Sequence, residues 1–584
     1  MTSADYAGTI PRLLSAAAER DGDGTWLRSD AGTLTFGAAV AAVSQTAAAL
    51  RAAGVGKGDL VMLTASTTPP YLLSWLALTS LGAVAVAVNP RSTPAELAGL
   101  ISQVRPRLLI TDPQLADVVA AARSETGPAV TGLAVADRAG LDRAGLDRAV
   151  SGPAVAGRAG GGGVASAAFP LDIDVHSVIP ADWADAAAMA QAVRNASLPD
   201  AGVGPDDIAV LIPTSGTTGR SKLVIQTHRA YAMAGEGFPF WMELAAADRM
   251  LTTLPLFHIN APAYSVMGSL ACGAGLVLAE RFSASTFLDT VRRHGATEFN
   301  AIGAMLEILM RQPERPGDAD TPLRLCYTGP APERDRQLAI ERRFGLRIVV
   351  GYALSESPYG LIWARGTRPY GTLGSVRQHP WLGTVNEARV VAQSGAIAGP
   401  GESGELELRN PVLTRGYWEM PAETAALMDD SWLRTGDLVT VGDDGTYTFV
   451  ARVKEVIRRR GENLSPLEVE DVLAGHPAVL ECAVVGVPSE LSEEEVKAFV
   501  VPAAGVELDF AELREFAAER LARFKVPRYW QQVAELPRTP TARVAKHRLP
   551  AGHPDGEYDA ESAQPSEGAQ SSQGAQPSQG AAQS

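Results

Sequence analysis

The stretch Thr214-Ser215-Gly216-Thr217-Thr218-Gly219-Arg220-Ser221-Lys222 says most about the fold of this chain. It places glycines, hydroxyl side chains and two cations directly after the apolar run from Ile208 to Ile212. Glycines allow positive φ and let backbone N–H groups approach an anion. Hydroxyl groups donate hydrogen bonds to phosphate oxygens, and Lys222 adds a positive charge. The pattern indicates a phosphate-binding loop at the end of a strand.

A flexible linker is the plain alternative for this loop. Linkers are rarely flanked by an apolar strand on one side and by a second apolar run, here Leu223-Val224-Ile225, on the other. The loop is also not a Walker A motif, because that pattern needs Gly-Lys-Ser/Thr and Gly219 is followed by Arg220. A phosphate cradle of another kind is therefore favoured.

Length and composition limit the class of protein. The chain has 584 residues, too many for one domain, with 46% hydrophobic and 20% charged residues, which is typical of globular proteins. A net charge of −15 argues against nucleic acid or an anionic membrane as the main partner. The scattered Cys272, Cys326 and Cys482 show no metal spacing and no disulfide framework.

Targeting signals are not recognisable. The start, Met1 to Asp5, lacks the basic and apolar regions of a signal peptide. The longest apolar run, Tyr71 to Val88, is interrupted by polar residues and by Gly82, and it predicts a buried helix followed by a buried strand rather than a membrane span. We expect a cytoplasmic enzyme without an integral membrane segment. The oligomeric state cannot be inferred.

Strands and helices alternate along most of the chain. Residues 12 to 52 predict helix, strand and helix, Val61-Met62-Leu63 and Leu108 to Thr111 predict strands, and Pro94 to Ile101 predicts a helix that Thr93 caps. This alternation is typical of parallel α/β sheets. Short β-runs with turns follow from Leu382 to Val450.

The loop from Thr214 to Lys222 resembles the phosphate-binding signature of the adenylate-forming enzymes. These include acyl-CoA synthetases, peptide-synthetase adenylation domains and luciferases. The usual form is Ser/Thr-Ser-Gly-Thr-Thr-Gly-x-Pro-Lys-Gly. This chain keeps the first six positions and Lys222, with Ser221 in place of Pro and Leu223 in place of Gly. Further motifs continue in family order over about residues 10 to 549, and the run Arg458 to Ser465 is most similar to carnitine-CoA-ligase-like and fatty-acyl or aryl ligases.

The resemblance implies an α/β fold in two parts. We expect a large N-terminal domain over residues 1–451, built of stacked mixed sheets flanked by helices with a β-rich subdomain, and containing a mobile insertion at about 128–170. A small mobile α+β C-terminal domain would cover 452–549. The Gln/Ser/Gly/Ala-rich tail at 550–584 has almost nothing to bury, and we expect it to be disordered.

The resemblance also implies roles for single residues in the first part. Thr214, Ser215, Gly216, Thr217, Thr218 and Gly219 would hold the phosphates of ATP, and Lys222 would neutralise charge. His258 in Leu254 to Asn260 would lie beside the substrate carboxylate, and Gly329 would border adenine. In Gly351 to Glu356, Tyr352 would stack on adenine, Ser355 would bond the phosphate and Glu356 would hold Mg²⁺. Asp437, in Trp432 to Asp437, would accept both ribose hydroxyls.

Further roles fall in the second part. Arg452 would contact the nucleotide, Lys454 would act as the hinge between domains, and Gly461 with Arg458 to Arg460 would form a basic mouth for coenzyme A. The terminal motif has Ala542-Arg543 where the family has Gly-Lys, and the exchange is not conservative. Three interpretations stay open: Arg543 performs the task more slowly, Lys546 takes its place, or adenylation is altered or lost.

Each of these residues has a plain alternative when taken alone. His258 would more often be a core residue, Gly329 part of a turn, Glu356 a surface residue and Asp437 an Asp in a hairpin. For Arg458 to Arg460, a solvated charged stretch is about as plausible as a coenzyme A contact. The order of the motifs is what favours an active site.

The implied reaction joins a small carboxylic acid to AMP, with release of pyrophosphate, and then passes the acyl group to coenzyme A. ATP, Mg²⁺ and coenzyme A are the expected cofactors, and the acid would lie among His258, Phe299 to Ala304, Tyr327 and Ser357 to Gly360. A second hypothesis is adenylation of an unusual acid such as nitrite, for diazotisation of an aryl amine in a natural-product pathway, with an acceptor other than coenzyme A. A third is a nucleotide- or acyl-binding homologue impaired through Arg543.

Overall fold

The chain divides into two compact units, Met1–Val450 and Ala451–Ser584, in a computed structural model. The residues described are 8–126, 171–185, 192–193, 196–214, 221–329, 331–459, 462–488, 494–538, 544–550, 552 and 557–560. The insertion predicted at 128–170 lies outside this part of the chain.

The largest sheet of the first unit has nine strands within the described residues. They are β1 (Thr25–Ser29), β2 (Gly32–Thr35), β9 (Arg249–Thr252), β10 (Gly275–Leu278), β11 (Glu298–Ile302), β12 (Leu325–Gly329), β13 (Arg347–Tyr352), β14 (Leu361–Ile362) and β15 (Ser375–Val376). Their order is β15-β14-β13-β12-β11-β9-β10-β1-β2, and the strands from β13 to β1 are parallel. Residues 12 to 52 therefore contain two strands where the sequence predicts one.

A second sheet holds the phosphate-loop motif. Its described strands are β3 (Leu60–Thr64), β4 (Val84–Ala87), β5 (Leu108–Thr111), β6 (Leu171–Asp174), β7 (Ile208–Thr214) and β8 (Lys222–Thr227), in the order β6-β5-β3-β4-β7-β8. All are parallel except β8, which runs antiparallel to β7 with Thr214 opposite Lys222. The loop thus joins the two strands of a hairpin.

Helices cover both sheets. In the first unit they are α1 (Ile10–Asp21), α2 (Phe36–Ala52), α3 (Pro69–Ser80), α4 (Pro94–Val104), α5 (Ala116–Glu125), α6 (His228–Met242), α7 (Met267–Cys272), α8 (Phe287–His294), α9 (Gly303–Met310), α10 (Arg334–Phe344) and α11 (Pro421–Leu427). Helix α4 begins with the predicted Thr93 cap, completed by Glu96 as a capping box. A π-helical segment, Ala261–Val266, precedes α7.

The apolar run at Tyr71 to Val88 forms α3 and β4, as predicted, with Gly82 between them at a φ of 68°. Every residue of α3 is buried, because this helix has no polar face. One continuous hydrophobic core contains side chains of both sheets and of α3, among them Trp26, Leu63, Phe299 and, from α3, Trp75. No helix in the described part of the chain has the length and apolar content needed to cross a membrane.

A third sheet in the first unit carries the Trp-Leu-Arg-Thr-Gly-Asp motif. Its described strands are β16 (Glu387–Val391), β17 (Ser403–Arg409), β18 (Met428–Asp429), β19 (Trp432–Val441) and β20 (Tyr447–Arg452), and β20 pairs with β19. Alternate residues such as Leu406, Leu408, Leu433 and Val439 form a core of their own. This is the β-rich region that the sequence predicts.

The second unit is a small α+β module. Its described strands and helices are β21 (Ile457–Arg459), β22 (Glu462–Leu464), α12 (Pro466–Ala474), β23 (Val479–Pro488), β24 (Glu494–Pro502), α13 (Phe510–Ala518), β25 (Tyr529–Gln532) and β26 (Tyr558–Asp559). Strand β26 pairs antiparallel with β25. It lies in the tail for which the sequence predicts disorder, so that prediction does not hold for residues 557–560.

Candidate active site

Parallel strands bring the predicted motifs to one edge of the nine-stranded sheet. The segment with His258 follows β9, Gly329 ends β12, and Tyr352 ends β13 directly before Ser355 and Glu356. The carboxyl ends of parallel strands lie at the same edge, which is where ligands bind in open α/β sheets. The fold therefore collects these five residues, which are far apart in sequence.

The carboxyl edge of the second sheet meets this one. Thr67, just beyond the end of β3, accepts a hydrogen bond from the backbone N–H of Leu256 at 3.2 Å. Leu256 lies two residues before His258. The phosphate-loop motif leaves β7 at the same edge of the second sheet, so both motif sets belong to one region of the first unit.

Only the two ends of the loop itself can be described. Thr214 Oγ1 donates to the carbonyl of Lys222 at 3.2 Å, which closes the base of the hairpin. Ser215, Gly216, Thr217, Thr218 and Gly219 lie outside the described residues. Their contacts with phosphate remain predictions.

Tyr417 joins Lys222 to Glu356. The ammonium nitrogen of Lys222 lies 4.6 Å from the centre of the Tyr417 ring, and the Tyr417 hydroxyl donates to Glu356 Oε1 at 2.9 Å. Among the described residues Lys222 forms no ion pair with an acidic side chain. The cation and the carboxylate are thus close neighbours that do not neutralise each other, and both stay available to a ligand.

Backbone pairing holds Tyr417 in this position. The segment Thr414–Trp418 lies against β8: Val224 bridges Tyr417, and the N–H of Trp418 donates to the Leu223 carbonyl at 2.9 Å. The N–H of Thr414 donates to the Glu356 carbonyl at 2.7 Å, which fixes the other partner of Tyr417. Burial raises the pKa of Tyr417, and the Glu356 carboxylate raises it further, so the hydroxyl stays protonated and keeps donating.

Gln226 positions Ser355 from the same strand. Its side-chain amide donates to the Ser355 carbonyl at 2.5 Å. Strand β8 therefore contacts both residues of the Ser355-Glu356 pair, one directly through Gln226 and one through Tyr417. Because Lys222 begins this strand, its position relative to the pair is set by a single β-strand.

Asp437 is placed by a bulge in β19. Opposite Glu405 and Glu407 of β17 lie Leu438 and Arg434, so β19 carries extra residues here, and Gly436 adopts a φ of 71°. The sequence predicts a tight turn at this glycine, with a hairpin as the plain alternative. The structure shows a bulge inside a continuous strand.

The side chain of Asp437 is fully buried, and its Oδ2 accepts a hydrogen bond of 2.5 Å from the Tyr352 hydroxyl. Tyr352 lies four residues before Glu356. The predicted ribose ligand and the predicted adenine neighbour are therefore in contact.

Gly329 and His258 complete the edge. A Cβ built on Gly329 would lie 2.5 Å from the Gly351 carbonyl oxygen, so only glycine fits at this close approach of two strands. The His258 ring is half-buried, with its centre 4.5 Å from that of Phe257. Asn260, two residues later, accepts from the Asn300 side chain on β11 at 2.8 Å.

Glu356 is suited to a metal that takes few protein ligands. Within the described residues no group of three or more His, Cys, Asp or Glu side chains could hold a metal ion. Magnesium commonly binds through one or two carboxylates together with phosphate oxygens and water. A single carboxylate beside the phosphate-loop strand fits this pattern.

The residues predicted in the second unit are only partly described. Arg452 ends β20 and Lys454 lies in a 3-10 turn, Val453–Glu455, where its side chain is outside the described part. Gly461 and Arg543 also lie outside it.

The position of Arg459 contradicts its predicted role in a basic entrance for coenzyme A. Its side chain is buried, donates to the carbonyls of Phe524 and Val526 at 2.9 and 2.8 Å, and forms an ion pair of 2.6 Å with Glu495. A guanidinium held in the core of the small unit cannot serve a surface site for coenzyme A. Arg459 is therefore structural.

Three residues of the site are missed by the sequence reasoning: Gln226, Thr414 and Tyr417. For Thr414 and Tyr417 the sequence signal is the run Thr414-Arg415-Gly416-Tyr417, which follows β17 and the apolar pair Val412-Leu413, with Gly416 at a φ of 111°. A glycine at positive φ is typical of a segment that passes close to a ligand or another backbone. The run lacks the density of glycines that makes the phosphate loop conspicuous.

Comparisons with known proteins identify the family of this chain. The family model of the AMP-binding enzymes matches residues 14–418, and that of the AMP-binding enzyme C-terminal domain matches residues 468–543. The chain is 31% identical over 560 residues to the sulfoacetate–CoA ligase of Cupriavidus necator, covering 94% of this chain and 98% of that protein. It is 29% identical over 518 residues to the crotonobetaine/carnitine–CoA ligase of Salmonella choleraesuis, covering 87% and 91%.

A solved structure shares the fold. A benzoate CoA ligase from Burkholderia xenovorans LB400 aligns with a TM-score of 0.74 at 24% identity, over 92% of this chain and 99% of that one. The matched family regions contain the Lys222–Tyr417–Glu356 arrangement in the first unit and most of the second. On these grounds the chain belongs to the AMP-binding enzyme family.

Proposed function

We propose roles for single residues in the reaction of this chain, which is the ATP-dependent joining of a carboxylic acid to coenzyme A. The acid forms acyl-AMP with release of pyrophosphate, and the acyl group then passes to coenzyme A. Homologous CoA ligases support this activity. The observation that carries the residue assignment is the row Lys222, Tyr417 and Glu356, which places a cation and a carboxylate beside the phosphate-loop strand without pairing them.

Adenylation requires that two anions, the acid and the triphosphate, are held together in line. In our assignment Ser215 to Gly219 and Thr214 bind phosphate oxygens, and Lys222 reduces the repulsion between the two anions. Glu356 would hold Mg²⁺, which supplies further neutralisation of phosphate charge when bound. Tyr417 orients the Glu356 carboxylate, and Ser355 hydrogen-bonds a phosphate.

The nucleoside would be held by a second group. Asp437 is assigned to the ribose hydroxyls, because its carboxylate is fully buried and accepts a hydrogen bond from Tyr352, the residue assigned to adenine. Tyr352 would place its ring against adenine, and Gly329 would border it, since no side chain fits there. Arg452 is assigned to a further nucleotide contact.

His258 is assigned to the acid's carboxylate. It is the residue of its segment that combines a half-exposed polar ring with a position at the carboxyl edge of both sheets. The acyl part would extend toward Asn300, Tyr327 and the segment Ser357 to Gly360. We place the reaction in the cytoplasm.

Thioester formation would use the second unit. Lys454 is assigned as the hinge and Gly461 as a coenzyme A contact. For the terminal motif, Lys546 is a poor substitute for the family's Lys, because its ammonium pairs with Glu470 at 2.8 Å and lies 3.5 Å from Glu455 within the same unit. Arg543 is therefore assigned to the bridging role.

The named substrates of two relatives suggest which class of acid this chain activates. Sulfoacetate and crotonobetaine are both small acids with a second charged group, and the ligases named after them align over most of this chain. We propose that this chain also activates a small acid of that kind. The residues around the acyl region, rather than the nucleotide site, should decide the sign of the second charge.

A pyrophosphate-release assay with and without coenzyme A tests the function. The panel holds small charged acids, fatty, aryl and amino acids, and nitrite. Acid-dependent release together with an acyl-CoA product is expected. Release with nitrite and without need for coenzyme A would support diazotisation instead, and ATP binding without turnover that Arg543→Lys restores would support the impaired homologue. No observation in the described residues favours either alternative.

A further inference from the structure

Arg377 is a buried cation in the first unit. Its side chain is fully buried just after β15. One terminal nitrogen, Nη2, donates to the Tyr327 hydroxyl at 2.8 Å and to the Leu361 carbonyl at 3.3 Å, and Nη1 donates to the Pro358 carbonyl at 3.3 Å. Its guanidinium carbon lies 4.4 Å from the ring centre of Trp241.

No acidic side chain in the described part of the chain pairs with this guanidinium. Its Nε is buried and has no hydrogen-bond partner. A guanidinium has more N–H donors than these three bonds use. Burying a charge is costly unless it is paired and hydrogen-bonded, and aromatic rings and two long bonds to carbonyls compensate it only in part. Within the described residues, Arg377 therefore keeps a positive charge and N–H donors that the protein compensates only in part.

Arg377 lies against the acyl side of the site. A Cβ built on Gly351 would come within 2.6 Å of the Tyr327 hydroxyl and 2.9 Å of Arg377 Nη2. Gly351 directly precedes Tyr352, the partner of Asp437. Tyr327 is also the register partner of Asn300, whose side chain bonds Asn260 in the His258 segment. The guanidinium is therefore continuous with the residues assigned to the acid.

We propose that Arg377 is the specificity residue that receives a second anionic group, a carboxylate or a sulfonate, at the end of the acid remote from the carboxylate that is adenylated. The proposal rests on the proposed function and defines its substrate class. Tyr327 orients Nη2, and the unpartnered Nε supplies a donor to the incoming anion. An acid with a quaternary ammonium group is excluded, because it would bring a second cation to the same buried place.

Matched pairs of acids test this. The kcat/KM of thioester formation is measured for dicarboxylic acids of three to six carbons and for terephthalate, each beside its own monoamide, which keeps the shape and removes one charge. For the best pair, the kcat/KM of the wild-type enzyme should be about fiftyfold higher for the diacid than for its monoamide. This is the size expected for a hydrogen bond between charged groups. Arg377→Met should bring the ratio close to one, and Arg377→Lys should give an intermediate ratio.

Arg365→Met is the matched control. Arg365 also stacks on an aromatic ring, 4.6 Å from that of Phe240, but it is exposed. Its replacement should leave the ratio of diacid to monoamide unchanged. Calorimetric binding of ATP verifies that Arg377→Met is folded. If it is not, Tyr327→Phe removes the hydroxyl that holds Nη2 and should lower the ratio about tenfold.

The outcomes separate this proposal from the function on which it rests. Thioester formation without preference for any diacid overturns the role of Arg377 and leaves the ligase intact. An equal loss for diacid and monoamide in Arg377→Met also overturns it, because a purely structural arginine would act in that way. If no acid of any class forms a thioester, the proposed function fails and this proposal fails with it.

Discussion

The hydroxyl of Tyr417 lies 2.9 Å from Glu356 Oε1, while the ring of the same tyrosine lies 4.6 Å from the Lys222 ammonium. One side chain therefore sets the positions of the cation and the carboxylate that we assign to the triphosphate and its metal. Because the phenol is an uncharged spacer, the two charged groups are held near each other without forming an ion pair.

Tyr417→Phe should lower the rate of pyrophosphate release about tenfold, because it keeps the ring and removes the hydrogen bond to Glu356. The defect should be larger at low Mg²⁺, since the carboxylate loses its orientation. Tyr417→Leu should cost about a further threefold by removing the contact with Lys222. Titration of Mg²⁺ in the adenylation assay measures both. A Phe variant with wild-type magnesium dependence would contradict the assignment.

Asp437→Asn should reduce kcat/KM for ATP about a hundredfold, because the buried carboxylate is assigned to the ribose hydroxyls. Wild-type enzyme should also lose activity with 2′-deoxyATP, whereas the variant should discriminate little between the two nucleotides. Asp444→Asn, an exposed turn residue on the next hairpin, is the control. If the variant still rejects 2′-deoxyATP as strongly as the wild type, Asp437 does not contact the ribose.

Gly436→Ala tests the bulge. Gly436 and Gly445 have φ angles of 71° and 75°, and at both sites the position that a Cβ would take has no neighbouring atom within 4 Å. Alanine should therefore cost each site about 1 kcal/mol of stability through backbone strain alone. Only Gly436→Ala should also raise the KM for ATP, since it moves Asp437. If Gly436→Ala and Gly445→Ala have the same KM for ATP, the bulge at Gly436 does not contribute to nucleotide binding.

His228 should make the first unit sensitive to acid. Burial lowers the pKa of His228 from 6.5 to about 4, so the folded protein holds this ring neutral while the unfolded chain protonates it. Its contribution to stability is present above pH 6.5 and is lost as the pH falls toward 4, in total about 3 kcal/mol. His228→Gln should flatten this part of the curve of unfolding free energy against pH, measured by denaturant titration. An unchanged slope would place the acid sensitivity elsewhere.

Lys546→Met should destabilise the second unit by about 3 kcal/mol, because it leaves Glu470 largely buried without its cation. Burial already raises the pKa of Glu470, and Lys546 opposes that rise. Adding Glu470→Gln to Lys546→Met should restore most of the lost stability, as measured by thermal unfolding. Adenylation should persist in the double variant, whereas Arg543→Ala should abolish it. Loss of adenylation in a stable double variant would instead make Lys546 the bridging residue.

Local patterns were sufficient for much of the fold. The Thr93 cap with Pro94 predicted α4, and the apolar runs before the glycine-rich motifs predicted β7 and β13. These features depend on residues a few positions apart, where propensity and periodicity act directly. The collection of the motifs at one edge follows from the parallel arrangement that the alternation of strands and helices indicates.

The remaining features depend on contacts that no local pattern specifies. The Thr414 hydroxyl donates to the Ile225 carbonyl, 189 residues away in sequence, and this pairing places Tyr417 beside Lys222 and Glu356. The sequence predicts a turn before Asp437 where the structure has a bulge, because a glycine at positive φ occurs in both. The sequence predicts an exposed Arg459 because charged side chains are rarely buried. Its partner Glu495 lies on another strand, which no local pattern indicates.

The two-residue strand β26 determines where the polypeptide can be shortened. Buried Lys497 pairs with Glu557 at 2.5 Å and donates to the Gly552 carbonyl at 2.8 Å. Arg528 donates to both carboxylate oxygens of Asp559, from Nε and Nη2. A protein trimmed at residue 549, where the family motifs end, would strip these partners away and expose the edge of β25 to intermolecular pairing. Affinity tags and fusion partners belong beyond Ala560.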